Sequence, residues 1–140
     1  MKKLLSVLVV TLFASFSFAQ SAVTLPETLK ETMETMGKNL KMIATQFSDP
    51  TLKDSSTAAS VDLVLLTVHA QTKVPTKVQE MDAEAQPEMI AKYKSMMSQT
   101  SVVAVQITAA LQSGKNDLIP GLLLEIKALR KNGHAEFTEE

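Results

Sequence analysis

Between residues 87 and 114 the chain reads PEMIAKYKSMMSQTSVVAVQITAALQSG. Ile90, Tyr93, Met97, Thr100, Ala104, Ile107 and Leu111 recur at steps of 3, 4, 3, 4, 3 and 4. A helix turns such a stripe to one side, because about 3.6 residues complete a turn. Pro87 suits the first helical position, where its missing N–H would have had no partner. Gly114 suits the left-handed residue that follows a helix.

The same spacing extends outward in both directions. In TLPETLKETMETMGKNLKMIATQF, residues 24–47, the apolar stripe is Leu29, Met33, Met36, Leu40, Ile43 and Phe47. Thr24 with Glu27 three residues on has the spacing of a capping box, which predicts the helix start there. Asp49 and Pro50 mark the break and the next start. A second helix is predicted from Pro50 to about Lys73, with Ala59, Leu63, Leu66 and Ala70 as its stripe. Residues 74–89 read as a long loop, and a last helix, capped by Asp117, carries Ile119, Leu122, Ile126 and Leu129. No stretch alternates with the period of a half-buried strand. The prediction is all-α, four helices of about 20 residues, each about 30 Å long. Short links join the first helix to the second and the third to the fourth, so an antiparallel up-down-up-down four-helix bundle is the simplest closure. That topology brings Met33, His69, Tyr93, Met97, Arg130 and His134 to one end.

Composition bounds the function. Lys2 and Lys3, an apolar run from Leu4 to Phe18 and small residues at Ser17 and Ala19 have the order of a secretory signal peptide. Residues 1–19 are therefore expected to be cleaved, leaving 20–140 as the bundle domain, exported to the periplasm. Without Lys2 and Lys3 the charge moves from 14 − 15 = −1 to 12 − 15 = −3, which speaks against a nucleic-acid partner. The absence of cysteine excludes disulfides, thiolate metal sites and thioether attachment of haem. No later apolar run has the length of a membrane span, so no stable membrane insertion is expected.

A thioether and an imidazole facing each other across an apolar bundle end can hold haem iron from both sides, leaving no open position for oxygen chemistry. Met33 lies on an inward stripe. At about 100° per residue, His134 lies about 20° from Leu123 on the margin of the last helix's apolar face. The alternatives stay open at this level: methionine on a core stripe serves as adaptable filler, and histidine near a helix C-terminus suits the dipole while solvated. His69, beside apolar neighbours, reads as a rim residue. No Ser-His-acid or paired-carboxylate arrangement argues for an enzyme.

Four segments resemble one family. KETMETMGKNLKMI at 30–43 is similar to the opening helix of the soluble cytochrome b562 family, PEM at 87–89 followed by Tyr93 to its third helix, GK at 114–115 to its last turn, and RKNGH at 130–134 to the Arg-x-x-x-His that ends its fourth. The resemblance runs from about Leu29 to His134. It implies one non-covalent haem b (iron protoporphyrin IX) per chain, with Met33 and His134 as axial iron ligands and Arg130 at the haem edge. Met36, Leu40, Tyr93 and Met97 would fall on the pocket wall. The implied activity is one-electron transfer with unidentified periplasmic redox partners. Gly133 sets two outcomes, a helix that continues to His134 or one that ends before it. Val61, Leu65 and Val68 form an extra apolar edge on the second helix and Leu124 lies off the main stripe of the last, which suggests a homodimer or docking surface, plain tight burial being the other reading. With Gly133 this surplus apolar surface motivates the alternative of a haem-free interaction bundle.

Overall fold

A computed structural model describes residues 23–138; the expected signal peptide lies outside them. Four long helices form the bundle: α1 (Leu29–Gln46), α2 (Lys53–Ala70), α4 (Gln86–Gln112) and α5 (Ile119–Phe137), with a one-turn α3 (Thr76–Gln79) between α2 and α4. Among the described residues there is no strand.

The predicted stripes form the core. Ile43, Leu63, Leu66, Ala104, Ile107, Leu111, Ile119 and Ile126 are all buried. Each apolar face is removed from water against the next helix, at about 25 cal/mol per Å². Helix α2 approaches its neighbours through small polar residues. Ser56, Ser60 and Thr67 are buried, and each hydroxyl donates to a carbonyl of its own helix, Lys53, Thr57 and Val64 respectively. Thr108 of α4 also donates to Ser60 at 2.9 Å, which fixes the level at which α2 and α4 cross.

Helix starts depart from expectation for identifiable reasons. The capping box is Thr28 with Glu31, not Thr24 with Glu27: the Thr28 hydroxyl accepts from the Glu31 N–H, and Glu31 accepts from the Thr28 N–H. Pro26 disfavours helix in the residue before it, and residues 23–28 are held outside the helix from across the bundle. The His69 Nε2–H donates to the Pro26 carbonyl at 2.8 Å and Lys73 Nζ to the Glu27 carbonyl at 2.7 Å. Asp49 does cap, but the turn it caps is a 3-10 turn, Pro50–Leu52. Its carboxylate accepts from the Thr51 hydroxyl and N–H, which holds the carboxyl below its ordinary range.

Asp117 is not the cap of the last helix. The connection winds as a 3-10 turn through Asn116–Leu118 before α5 begins, because the Asn116 amide reaches across to donate to the Phe47 carbonyl at 2.9 Å. Gly114 takes the left-handed conformation expected of it, at φ 70°. The loop expected at 74–89 contains α3, whose Val78 is fully buried where α3 meets α4 and α5. Of the surplus apolar residues, Val61 is half-buried while Leu65, Val68 and Leu124 are exposed. Val102 and Val105 of α4 are exposed as well.

Tyr93 joins three elements at one end of the bundle. Its ring is 2% exposed, its hydroxyl donates to the Ala70 carbonyl at 2.7 Å, and it meets the Phe137 ring edge-on at 5.5 Å. Burial pushes its hydroxyl well above the ordinary tyrosine range. A raised folded-state value means full stability below the free tyrosine range and loss above it. Tyr93→Phe should therefore cost about 1 kcal/mol at neutral pH, one net hydrogen bond. It should also weaken the decline in stability of the wild type above about pH 10. Urea titrations at pH 7 and pH 10.5 measure both effects.

Candidate functional site

Three of the four seams between long helices are closed: α1 against α2, α2 against α4 and α4 against α5 pack along their lengths, whereas α1 and α5 barely touch. At the far end the Asn116–Phe47 hydrogen bond ties the α4–α5 connection to the end of α1. Between α1 and α5 themselves the seam is thin.

Residue identity accounts for the two walls. The face that α1 turns toward α5 carries Met33, Gly37, Leu40 and Ala44, small or flexible groups; α5 answers with Leu123, Lys127, Arg130 and His134. One crossing sets their relative height. A Cβ on Gly37 would lie 3.9 Å from Arg130 Nη1, so the guanidinium reaches α1 at that point. Antiparallel helices then put Met33, one turn before Gly37, level with His134, one turn after Arg130.

The two candidate ligands differ in surroundings. Met33 is half-buried and packed against the core. His134 is exposed, its ring makes no hydrogen bond to the described residues, and helical spacing sets it about 40° from Arg130. Arg130 is exposed and forms no ion pair among the described residues. Met36, Leu40, Tyr93 and Met97, expected on the pocket wall, are all buried. No group of three or more His, Cys, Asp or Glu able to hold a metal ion occurs among the described residues.

His69, expected at the rim, is half-buried there and holds the leader rather than facing the seam. Three residues that position the site were missed. Phe137 is buried at the end of α5 and packs on Tyr93; its spacing three after His134 was the signal. Gly37 lies one turn after Met33, where a helix interior disfavours glycine. Met96 had no sequence signal separating it from its neighbour Met97.

The helix runs through Gly133, since α5 continues to Phe137 and Gly133 does not take positive φ. Glycine stands there for another reason: a Cβ would lie 3.2 Å from Met96 Cε and 3.4 Å from its Sδ, so Met96 of α4 packs against the bare backbone. Gly133 therefore belongs to the α4–α5 packing, and His134, one residue on, points about 100° away from that contact.

The fold defines an antiparallel four-helix bundle whose first and last helices leave a thin lateral seam, with Met33 on the first and His134 on the last. The family model for cytochrome b562 matches residues 28–138, and the chain belongs to the cytochrome b562 family. This family consists of electron carriers rather than enzymes, and its cofactor is a b-type haem. Neither the curated proteins nor the solved structures gave a match. No helix among the described residues is long and apolar enough to cross a membrane.

Gly133→Ala tests the packing role. Alanine recovers about 1 kcal/mol of helix propensity. Met96 is half-buried and lines an open groove of about 280 Å³ between α4 and α5, so its flexible end has room to swing. The expected outcome is a gain of about 0.5 kcal/mol in the free energy of unfolding, measured by urea titration of the apoprotein.

Proposed function

We propose that the chain is a periplasmic electron carrier that holds one non-covalent haem b in the α1–α5 seam, with Met33 and His134 as the axial ligands. The thin seam carries this reading. An otherwise closely packed bundle leaves its first and last helices barely touching, with a half-buried thioether on one and, on the other, an imidazole that makes no hydrogen bond to the described residues. The donor set fits the group: neutral imidazole and thioether both bind haem iron, and two such ligands leave no position for oxygen. When bound, the haem supplies a one-electron ferric/ferrous couple, and thioether ligation favours the softer ferrous state.

The chain's own residues do the rest. Met36, Leu40, Tyr93 and Met97 present an apolar wall that excludes water from the inner side of the seam, with Phe137 closing the end behind Tyr93. Arg130, which forms no ion pair among the described residues, offers a guanidinium suited to a haem carboxylate. Export follows from the signal-peptide order of residues 1–19, and the mature domain is then 20–140.

Exposed apolar residues on α2 and on the uncharged later part of α4 support self-association as an accompanying reading. Leu65, Val68, Val102 and Val105 are exposed there, and no residue from Ser95 to Gly114 is charged. Sedimentation velocity from micromolar to millimolar chain should show a concentration-dependent dimer, and Val102→Glu should abolish it.

Haemin titration of the apoprotein tests the central reading: sharp, dithionite-dependent visible bands should saturate at one haem per chain. His134→Ala should weaken haem binding at least tenfold, about 1.4 kcal/mol or more, and Met33→Ala should leave a five-coordinate iron. His69→Ala should keep the six-coordinate spectrum, since that ring holds Pro26. Absence of stoichiometric binding would leave the haem-free interaction bundle in its place.

A further inference from the structure

The charges of this chain are unevenly distributed. On the flanks of α1 and α5 that border the seam stand Lys30, Lys41, Lys127, Arg130 and Lys131 with one carboxylate, Glu34, all exposed. Their sum is 5 − 1 = +4. Residues 23–138 carry 12 − 13 = −1 in all, so the described surface outside this wall sums to −1 − 4 = −5. The Gly37–Arg130 crossing sets Lys41, one turn further along α1, level with Lys127, about one turn earlier on α5. The fold thus keeps two ammonium groups at one height beside one groove. No carboxylate neutralises any of the five cations among the described residues, where the one ion pair is Lys92 with Glu136, on the α4–α5 side.

We propose that this wall is the docking face for an acidic redox protein, whose surface carboxylates meet these cations while the electron crosses at the seam. The proposal rests on the haem reading above. A bound haem would add two carboxylates, leaving 4 − 2 = +2 at the wall, still opposite in sign to the chain as a whole. Cations clustered at the point of transfer on an acidic body orient the molecule as well as attract its partner, because the opposite side repels the same surface. The rim charges act on encounter, so the association rate carries the effect and salt screens it.

The test uses the holoprotein. Visible spectra first establish that the wild type and each variant hold one six-coordinate haem, so failure of the haem reading is seen separately. Stopped-flow oxidation of the ferrous holoprotein is then followed with hexacyanoferrate(III) and with tris(phenanthroline)cobalt(III). In each reaction one electron passes from the protein to the complex, no bond forms or breaks, and no proton moves. The hexacyanoferrate rate should fall about tenfold between 10 and 300 mM salt, and the cobalt rate should rise. The double variant Lys41→Glu, Lys127→Glu should reverse both slopes, while Glu84→Gln with Glu88→Gln should leave them in place. Calorimetry at low salt should show the wild type binding an acidic plant-type ferredoxin more tightly than a basic cytochrome c. A hexacyanoferrate rate that rises with salt in the wild type, as the net charge alone would dictate, overturns the proposal. So does preference for the basic partner.

Discussion

In an up-down-up-down bundle one seam differs from the other three by connectivity alone. Neighbouring long helices elsewhere are joined at one end by a connection, and here the α1–α2 and α4–α5 connections are also pinned by Asp49 and Asn116. Helices α1 and α5 hold the two ends of the described chain and share no connection, so only side chains set their separation. With Gly37 and Ala44 on one wall and a long arginine on the other, little apolar surface is available to draw the helices together. The thin seam follows from topology and residue size jointly. Packing energy is concentrated in the three seams that hold the fold, and the fourth adds little to it.

This division has an energetic consequence. Anything that binds the folded bundle at that seam, and not the unfolded chain, adds its binding free energy to the stability of the fold. A ligand gripping Met33 and His134 would connect the first helix to the last and make good the missing covalent link. Tyr93 couples that end to the rest: the same ring forms part of the inner wall, bonds the last carbonyl of α2 and supports Phe137 at the end of α5. Changes at the wall and changes in global stability are therefore expected to be linked, and Tyr93 is where they meet.

The four long helices and most of their buried residues were legible because the apolar period is strong and the breaks carry proline or glycine. The starts of α1 and α5 were not, for a shared reason. Thr24 and Asp117 have suitable local spacing, but long-range bonds decide the matter: His69 and Lys73 draw residues 26 and 27 away from the helix, and Asn116 spends its side chain on Phe47. Local pattern cannot see a partner more than forty residues away. The single turn α3 was hidden similarly, since Val78 is buried only because α4 and α5 happen to close over it. At the site, the residues of α1 and α4 were legible as core positions. The division of α5 into a side facing α4 and a side facing α1 required the observed crossings of Met96 and Arg130.

Gly133 gathers these points. In the sequence it set a choice between a helix that ends and a helix that continues at some cost. The structure separates two questions that the sequence had merged. The helix continues, and the glycine serves the α4 side, where Met96 lies close enough that a side chain would have to displace it. Because consecutive helical residues point about 100° apart, the packing demand at 133 and the orientation of 134 are independent, even though the residues are adjacent. Adaptation of α4–α5 packing can thus alter residue 133 without changing the direction in which residue 134 leaves the helix.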